Sequence, residues 1–175
     1  AFANALWKTD LNRVLPPLGK AIVMSTIGIL STTQGLKLAR LSGNRDKPVR
    51  EALMDSLKFP AEEEEGRLLH ALGKSLLALL SEQKPAQLCL LKVVGNQHNH
   101  TAEIRVKVEG LMQMLGARLE IPTRLIAPVT LRNQEKKFDI FTGQQPEACL
   151  NDGKKFKSVD LRSAALTAWV GLPES

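Results

Sequence analysis

Two histidines lie two positions apart in His98-Asn99-His100, close enough in sequence for both imidazoles to bind one metal ion. No cysteine, aspartate or glutamate lies nearby until Glu103, and the spacing is not that of a zinc finger. The motif therefore favours a solvated loop or the entry to a helix. His98 and His100 are the metal-ligand candidates that the sequence offers.

Basic side chains form a second group that could do chemistry, since ammonium and guanidinium groups bind phosphate. Lys92 ends an apolar run, where a charged group costs desolvation unless Asp160, Glu109 or an anion partners it. The candidates for binding an anion or a nucleic-acid backbone are Lys92, Arg105, Lys107, Lys136, Lys137, Lys154 and Lys155.

The charge balance favours a polyanion as partner. The chain of 175 residues carries 24 basic and 18 acidic side chains, which gives a net charge of +6 at pH 7. No acidic residue occurs between Asp10 and Asp46, so the first apolar stretch has no carboxylate. Aromatic residues make up 4% and tyrosine is absent, which counts against a surface built to stack bases.

The cysteine usage indicates a reducing, cytoplasmic compartment. Cys89 and Cys149 are too few for a disulfide framework, and Cys89 lies in an apolar run where a buried thiol is expected. The most apolar early stretch, residues 21–30, is shorter than the roughly 20 residues of a membrane span. We therefore expect no membrane partner, and the amino terminus lacks the pattern of a secretory signal.

The domain organisation predicted from the chain is simple. Apolar residues recur at mixed helical spacing up to Pro16-Pro17, which predicts a helical arm over residues 1–20. No repeat, low-complexity tract or long linker divides the remainder. Residues 21–175 are therefore predicted to form a single α/β domain.

A β-hairpin is predicted to open this domain. Residues 21–31 and 36–42 are rich in isoleucine, valine, leucine and threonine, and they flank the turn Thr32-Thr33-Gln34-Gly35. Residues 49–59 favour helix by propensity but would suit a third antiparallel strand after a hairpin. We predict a strand there.

From residue 60 onward the pattern alternates between helix and strand. Glutamates at 62–65 precede leucines spaced three and four apart, which predicts the best-defined helix, and residues 87–94 are typical of a buried strand. The remaining predicted elements are a helix over 101–115 ending at Gly116, a short strand within 117–126, a stretch without clean period over 130–141, a loop over 143–157, and a last helix from Ser158 to Trp169.

This element order resembles the ribonuclease H-like fold, the scaffold of RNase H, retroviral-type integrases and RuvC-type Holliday-junction resolvases. The resemblance covers roughly residues 21–172 and implies a mixed β-sheet, with an antiparallel hairpin plus parallel strands, flanked by helices. Locally the chain is most similar to a small bacterial family of domains of unknown function. The segments that carry this likeness are Thr26-Ile27-Gly28-Ile29-Leu30, Cys89-Leu90-Leu91-Lys92-Val93, Lys107-Val108-Glu109-Gly110-Leu111-Met112-Gln113 and Leu125-Ile126-Ala127-Pro128.

The resemblance implies a test for catalysis. Active members hold two Mg²⁺ or Mn²⁺ ions with carboxylates from the first strand, the central strand region and the last helix. Leu30 stands at the first of these positions and the stretch that begins at Lys92 at the second, whereas Asp160 matches the acidic start of the last helix. One carboxylate does not make a two-metal site, so no metal cofactor is expected on this basis.

Three hypotheses follow from the sequence. The favoured one is a catalytically inactive RNase H-like domain that acts through protein contacts or self-association in a bacterial cytoplasm. The second is a nucleic-acid-binding module that uses the basic patches. The third is a nuclease dependent on Mg²⁺ or Mn²⁺, with displaced ligands such as Asp160, Glu109 and Asp10.

Overall fold

A computed structural model describes residues 24–61, 64–93 and 100–174 of the protein. Its elements are β1 (Ser25–Ser31), β2 (Gly35–Gly43), β3 (Pro48–Glu51), β4 (Ser56–Lys58), α1 (Glu65–Gln83), β5 (Gln87–Leu91), α2 (His100–Arg118), β6 (Thr123–Ile126), α3 (Pro128–Glu135), α4 (Phe138–Thr142), α5 (Pro146–Leu150) and α6 (Val159–Gly171). The six strands form one mixed sheet in the order β3-β2-β1-β5-β6, with β4 also paired to β2.

The predicted hairpin and third strand are confirmed. β1 and β2 pair antiparallel, and the turn between them is closed by a hydrogen bond of 2.8 Å from Thr32 N to Gly35 O. A Cβ on Gly35 would lie 2.3 Å from Leu57 O, so this turn requires glycine because β4 approaches it so closely. β3 and β4 both pair antiparallel with β2, which makes the segment 49–59 two short strands separated by a break.

The parallel half of the sheet places apolar side chains on both faces. β5 pairs parallel with β1 and β6 pairs parallel with β5, so β5 is a buried central strand as its sequence predicts. One core cluster lies between the sheet and the helices α1 and α2, and it includes Ile27, Ile29 and Leu90. The other lies between the sheet and α6, and it includes Leu30 and Cys89.

The prediction that Gly116 ends the second helix is wrong. α2 continues to Arg118, and the residue with a left-handed backbone is Glu120 at φ 57°. A Cβ on Gly116 would lie 2.1 Å from Oγ1 of Thr123. Glycine is therefore needed here for close packing of α2 on the start of β6, not for a helix cap.

The segments 130–141 and 143–157 are more regular than their sequences predict. They contain the short helices α3, α4 and α5, of which α3 and α5 begin with a proline. Phe138 and Leu150 from these helices are fully buried in the cluster beneath α6. Helices of five to eight residues are too short to display an apolar period, which is why the sequence pattern misses them.

α6 is the last helix, and Ser158 caps it as predicted by accepting a hydrogen bond of 3.1 Å from Leu161 N. The helix crosses β1 so closely that a Cβ on Gly28 would lie 2.1 Å from Ala164 O. A Cβ on Gly171 would lie 2.8 Å from Cγ2 of Thr26, near the start of β1. The first turn of α6 therefore lies at the carboxyl end of β1.

Three other sequence predictions concern the chain as a whole. The arm over residues 1–20 lies outside the described residues, and the division into this arm and a single domain over 21–175 stays a prediction. No helix in the described part is long and apolar enough to cross a membrane. Cys89 is buried as expected, and burial raises the pKa of its thiol to about 11.

Gly28→Ala should destabilise the fold by about 1–3 kcal/mol, because the new methyl group would press into the backbone of α6. The matched control is Gly110→Ala in α2, where a Cβ meets nothing within 4 Å and helix propensity should add roughly 0.5–1 kcal/mol of stability. Urea unfolding midpoints measure both changes. Equal midpoints for the two variants would contradict the close approach of α6 to β1.

Candidate functional site

The carboxyl end of β1 is where the resemblance implies the first metal-binding carboxylate. Leu30 occupies this position, is 8% exposed, and pairs with Leu91 on one side and with Lys37 on the other. Directly paired residues share a face of the sheet, and Leu30 and Leu91 belong to the cluster under α6. Lys37 therefore lies on the face of the sheet that packs against α6.

A cavity of about 380 Å³ opens at this edge. Its walls are the hairpin turn, β4 and the first turn of α6, and it is lined by Thr32, Thr33, Gln34, Gly35, Leu36, Lys37, Ser56, Leu57, Lys58, Ser158 and Asp160. Neither the Lys37 side chain nor the Lys58 side chain has a hydrogen bond or ion pair among the residues that the structure describes. Two ammonium groups thus face one carboxylate, and the partial positive charge of the helix start adds to them.

Asp55 lies next to this cavity but does not neutralise its lysines. Its carboxylate contacts Lys157 at 2.8 Å and Arg50 at 3.2 Å. Burial lowers the pKa of Arg50, and the ion pair with Asp55 acts in the opposite direction. Asp55 is therefore already paired with two cations. The carboxylate that lines the cavity is that of Asp160, which is exposed on the first turn of α6.

The hairpin turn that forms one wall is fixed by its own hydrogen bonds. Oγ1 of Thr32 donates to Gly35 O at 2.9 Å and accepts from Gln34 N at 3.3 Å. Phe59 N donates to Gln34 O at 3.0 Å, which ties the turn to the end of β4. The lysines at the two sides of the turn therefore project from a rigid frame.

The expectation of a desolvated, paired Lys92 is wrong. β5 ends at Leu91, and the Lys92 side chain is exposed while its backbone N–H donates to Ile126 O at 2.9 Å. Neither Asp160 nor Glu109 pairs with it in the described part of the chain. By the alternation of side chains, Lys92 also belongs to the opposite face from Leu91, the face of α1 and α2.

Glu109 and Arg105 bind backbone at the ends of the two central strands. Oε2 of Glu109 accepts a hydrogen bond of 3.0 Å from Val93 N, and Nε of Arg105 donates one of 2.9 Å to Ser31 O. Both contacts hold α2 against the carboxyl edge of the sheet. Glu109 is therefore a structural acceptor here, and the geometry does not place it with Asp160.

The other basic candidates differ in whether their side chains have a partner. Lys107 pairs with Glu65 at 2.5 Å, and this hydrogen bond raises the pKa of its ammonium. The remaining four are exposed without a side-chain partner among the described residues, and they are Lys136, Lys137, Lys154 and Lys155. Asn151 fixes the loop of the last two, since its Nδ2 donates to Lys154 O at 2.9 Å and to Lys155 O at 3.0 Å.

Arg162 of α6 forms ion pairs with two glutamates of neighbouring helices. Its guanidinium pairs with Glu135 and with Glu147, the latter at 3.2 Å. These pairs join α3 and α5 to α6, and they engage both carboxylates with one guanidinium.

The described donors do not fit the two-metal site that the fold implies. Within residues 24–61, 64–93 and 100–174 no three side chains of histidine, cysteine, aspartate or glutamate come together as a metal site. Leu30, Leu91 and Lys37 surround the strand end, and Asp160 is the carboxylate beside them. Asp10, His98 and the side chain of His100 lie outside the described residues.

Lys37 and Lys58 are the site residues that the sequence reasoning missed. Both resemble ordinary solvent-facing lysines of a hairpin. The position of Lys37 could have been found by extending the antiparallel register outward from the hairpin turn. In that register Ser31 pairs with Leu36, and the next pair is Leu30 with Lys37. No signal in the sequence indicated that Lys58 of β4 would face the same cavity.

Comparison with solved structures supports the resemblance. The chain is similar to Thermus thermophilus RuvC, once in complex with a Holliday junction substrate and once in a second structure, with 13% identity, a TM-score of 0.66 and 83% of this chain covered in each case. The matches cover 90% and 92% of those two RuvC chains. No family model and no curated protein matches the chain.

The yeast mitochondrial Holliday junction resolvase Ydc2 is also similar, with 15% identity, a TM-score of 0.53, and coverage of 84% of this chain and 77% of that one. These likenesses confirm the α/β fold with a mixed sheet flanked by helices. The interpretation as a catalytically inactive protein-interaction module is wrong, because the proteins that share the fold are named for Holliday junctions and one holds a junction substrate.

Glu109→Ala should destabilise the protein by about 1–3 kcal/mol, since it leaves the Val93 N–H without its acceptor. Glu109→Gln keeps a carbonyl oxygen within reach of the Val93 N–H and should lose less stability. Urea unfolding midpoints test this, with Glu82→Ala on the exposed side of α1 as the control. Wild-type midpoints for both Glu109 variants would show that this hydrogen bond does not hold α2 to the sheet.

Proposed function

We propose that this chain binds the sugar-phosphate backbone of DNA, with a branched junction as the preferred substrate class, through the carboxyl edge of its sheet. The observation that carries the proposal is the cavity beside α6, where the side chains of Lys37 and Lys58 have no partner among the described residues. The likeness to RuvC in complex with a Holliday junction supports DNA as the polyanion. A cytoplasmic setting remains part of the proposal.

The charge distribution supports contact with a backbone rather than with bases. Further exposed cations without a side-chain partner in the described part of the chain lie between α3 and α4 and in the loop before α6, and they are Lys136, Lys137, Lys154 and Lys155. Trp169 and Phe138, two of the few aromatic residues, are buried in the core. Affinity should therefore come from phosphate contacts and counterion release, with little sequence preference.

Binding to a labelled four-way junction, measured by fluorescence anisotropy over a series of salt concentrations, tests this function. We expect binding at about 50 mM salt and a steep loss of affinity with increasing salt. The combined variant of Lys136, Lys137, Lys154 and Lys155 to methionine should weaken binding. It should also flatten the salt dependence by about 0.9 in log–log slope for each phosphate that these lysines neutralise in the wild type.

Duplex DNA of the same arm sequence, single-stranded DNA and single-stranded RNA are the comparison ligands. Lys74→Met, on the exposed side of α1, is the matched control and should leave binding unchanged. Absence of binding to every one of these ligands at about 50 mM salt would overturn the proposed function, because phosphate contacts are strongest there.

Metal-dependent cleavage of the same DNA is the second candidate, favoured by the name of Ydc2 as a resolvase and by the place of Asp160 on α6. It needs ligands beyond the described residues, for which Asp10 is the candidate in the sequence. On this candidate, a labelled junction is cut in Mg²⁺ or Mn²⁺, and Asp160→Asn abolishes the cut. Products identical to a protein-free control would remove this candidate and leave binding in place.

A further inference from the structure

We infer that Lys37 takes the place of a divalent cation at this site, so that the cavity binds one phosphodiester directly and needs no metal ion to do so. This inference rests on the proposed function. It adds to that function which group of the substrate enters the cavity and which side chain neutralises the charge of that group.

The position of Lys37 is the first step. It pairs with Leu30 on the strand next to β1 and shares with it the face that packs against α6. The fold implies cations at this point, and cations there require carboxylate ligands. The ammonium group of a lysine is part of the protein and needs no carboxylate ligands to hold it. Lys37 can therefore supply positive charge at a strand end where Leu30 provides no carboxylate.

The walls of the cavity are the second step. Lys58 lies on β4, paired with Gly35 of the turn, so the two ammonium groups approach the cavity from different strands. Hydroxyl groups of Thr33 and Ser56 also line it and can donate to phosphate oxygens. A volume of about 380 Å³ is in the range of small-ligand pockets and suits one nucleotide unit rather than a duplex.

A substitution of Asp160 distinguishes phosphate binding through a metal ion from phosphate binding through lysines. Asp160 lines the same cavity, and its carboxylate has no partner among the described residues. If a metal ion bridged protein and phosphate, Asp160 would be a ligand and its loss would weaken binding. If lysines bind the phosphate, the carboxylate repels the substrate, and Asp160→Asn should strengthen binding.

The experiment measures binding of a labelled four-way junction in EDTA and in millimolar Mg²⁺ at matched ionic strength. We expect the wild type to bind in EDTA and Mg²⁺ not to strengthen this binding, because Mg²⁺ can only compete with the lysines for phosphate. Lys37→Met should weaken binding about tenfold, the size of one charge-assisted hydrogen bond. Lys37→Arg should retain most of the affinity, and Asp160→Asn should bind more tightly than the wild type.

Lys47→Met is the matched control, because Lys47 is an exposed lysine just before β3, at the opposite edge of the sheet. Its affinity should equal that of the wild type. Lys37→Gln and thermal unfolding of each variant distinguish weaker phosphate binding from unfolding of the domain. Binding that EDTA abolishes, or that Asp160→Asn weakens, would overturn this inference while junction binding stands; absence of binding in both conditions would overturn the proposed function instead.

Discussion

The close approach of α6 to β1 is the constraint on which the rest of the molecule depends. A Cβ on Gly28 would lie 2.1 Å from Ala164 O and 2.4 Å from Ala168 N, so the helix backbone rests directly on the central strand. Ala164, Ala165 and Ala168 are fully buried at this contact. Their small side chains allow a distance between α6 and β1 that larger residues would prevent.

The carboxyl-terminal part of α6 is anchored by Trp169, which leaves the first turn to face the cavity. Its ring lies 4.7 Å from that of Phe138, and the Arg45 guanidinium lies 5.7 Å from its centroid. Nε1 of Trp169 donates to Arg45 O at 2.9 Å, and Arg45 in turn donates to Val170 O at 2.6 Å. These contacts tie α6 to the segment after β2, and they hold Ser158 and Asp160 at the sheet edge where Lys37 lies.

The same arrangement explains the electrostatic character of the site. The strand end is apolar at Leu30, cationic at Lys37 and acidic at Asp160. Nearby carboxylates that could neutralise the lysines are engaged elsewhere, Asp55 with Arg50 and Lys157. A site with this balance attracts an anion more readily than a divalent cation, and the net charge of +6 reinforces that preference.

The sequence predicts the sheet and its longer helices well, because β1 and β2 are long apolar strands on either side of a turn, and the leucines of α1 recur at helical spacing. The family resemblance implies, in addition, that Leu30 stands where active members hold a carboxylate. The sequence draws attention to Lys92 at the end of β5, whereas strand pairing brings Lys37 beside Leu30. Lys58, the short helices α3 to α5 and the packing role of Gly116 depend on contacts between distant segments, which no local pattern displays.

A crystal structure of the protein with a four-way junction, grown in EDTA, tests most directly whether Lys37 binds phosphate in place of a metal ion. We predict a phosphate oxygen about 3 Å from Nζ of Lys37, in the cavity between the hairpin turn and the first turn of α6. DNA bound on the face of α1 and α2, or a phosphate held only after a divalent cation is restored, would contradict this role of Lys37.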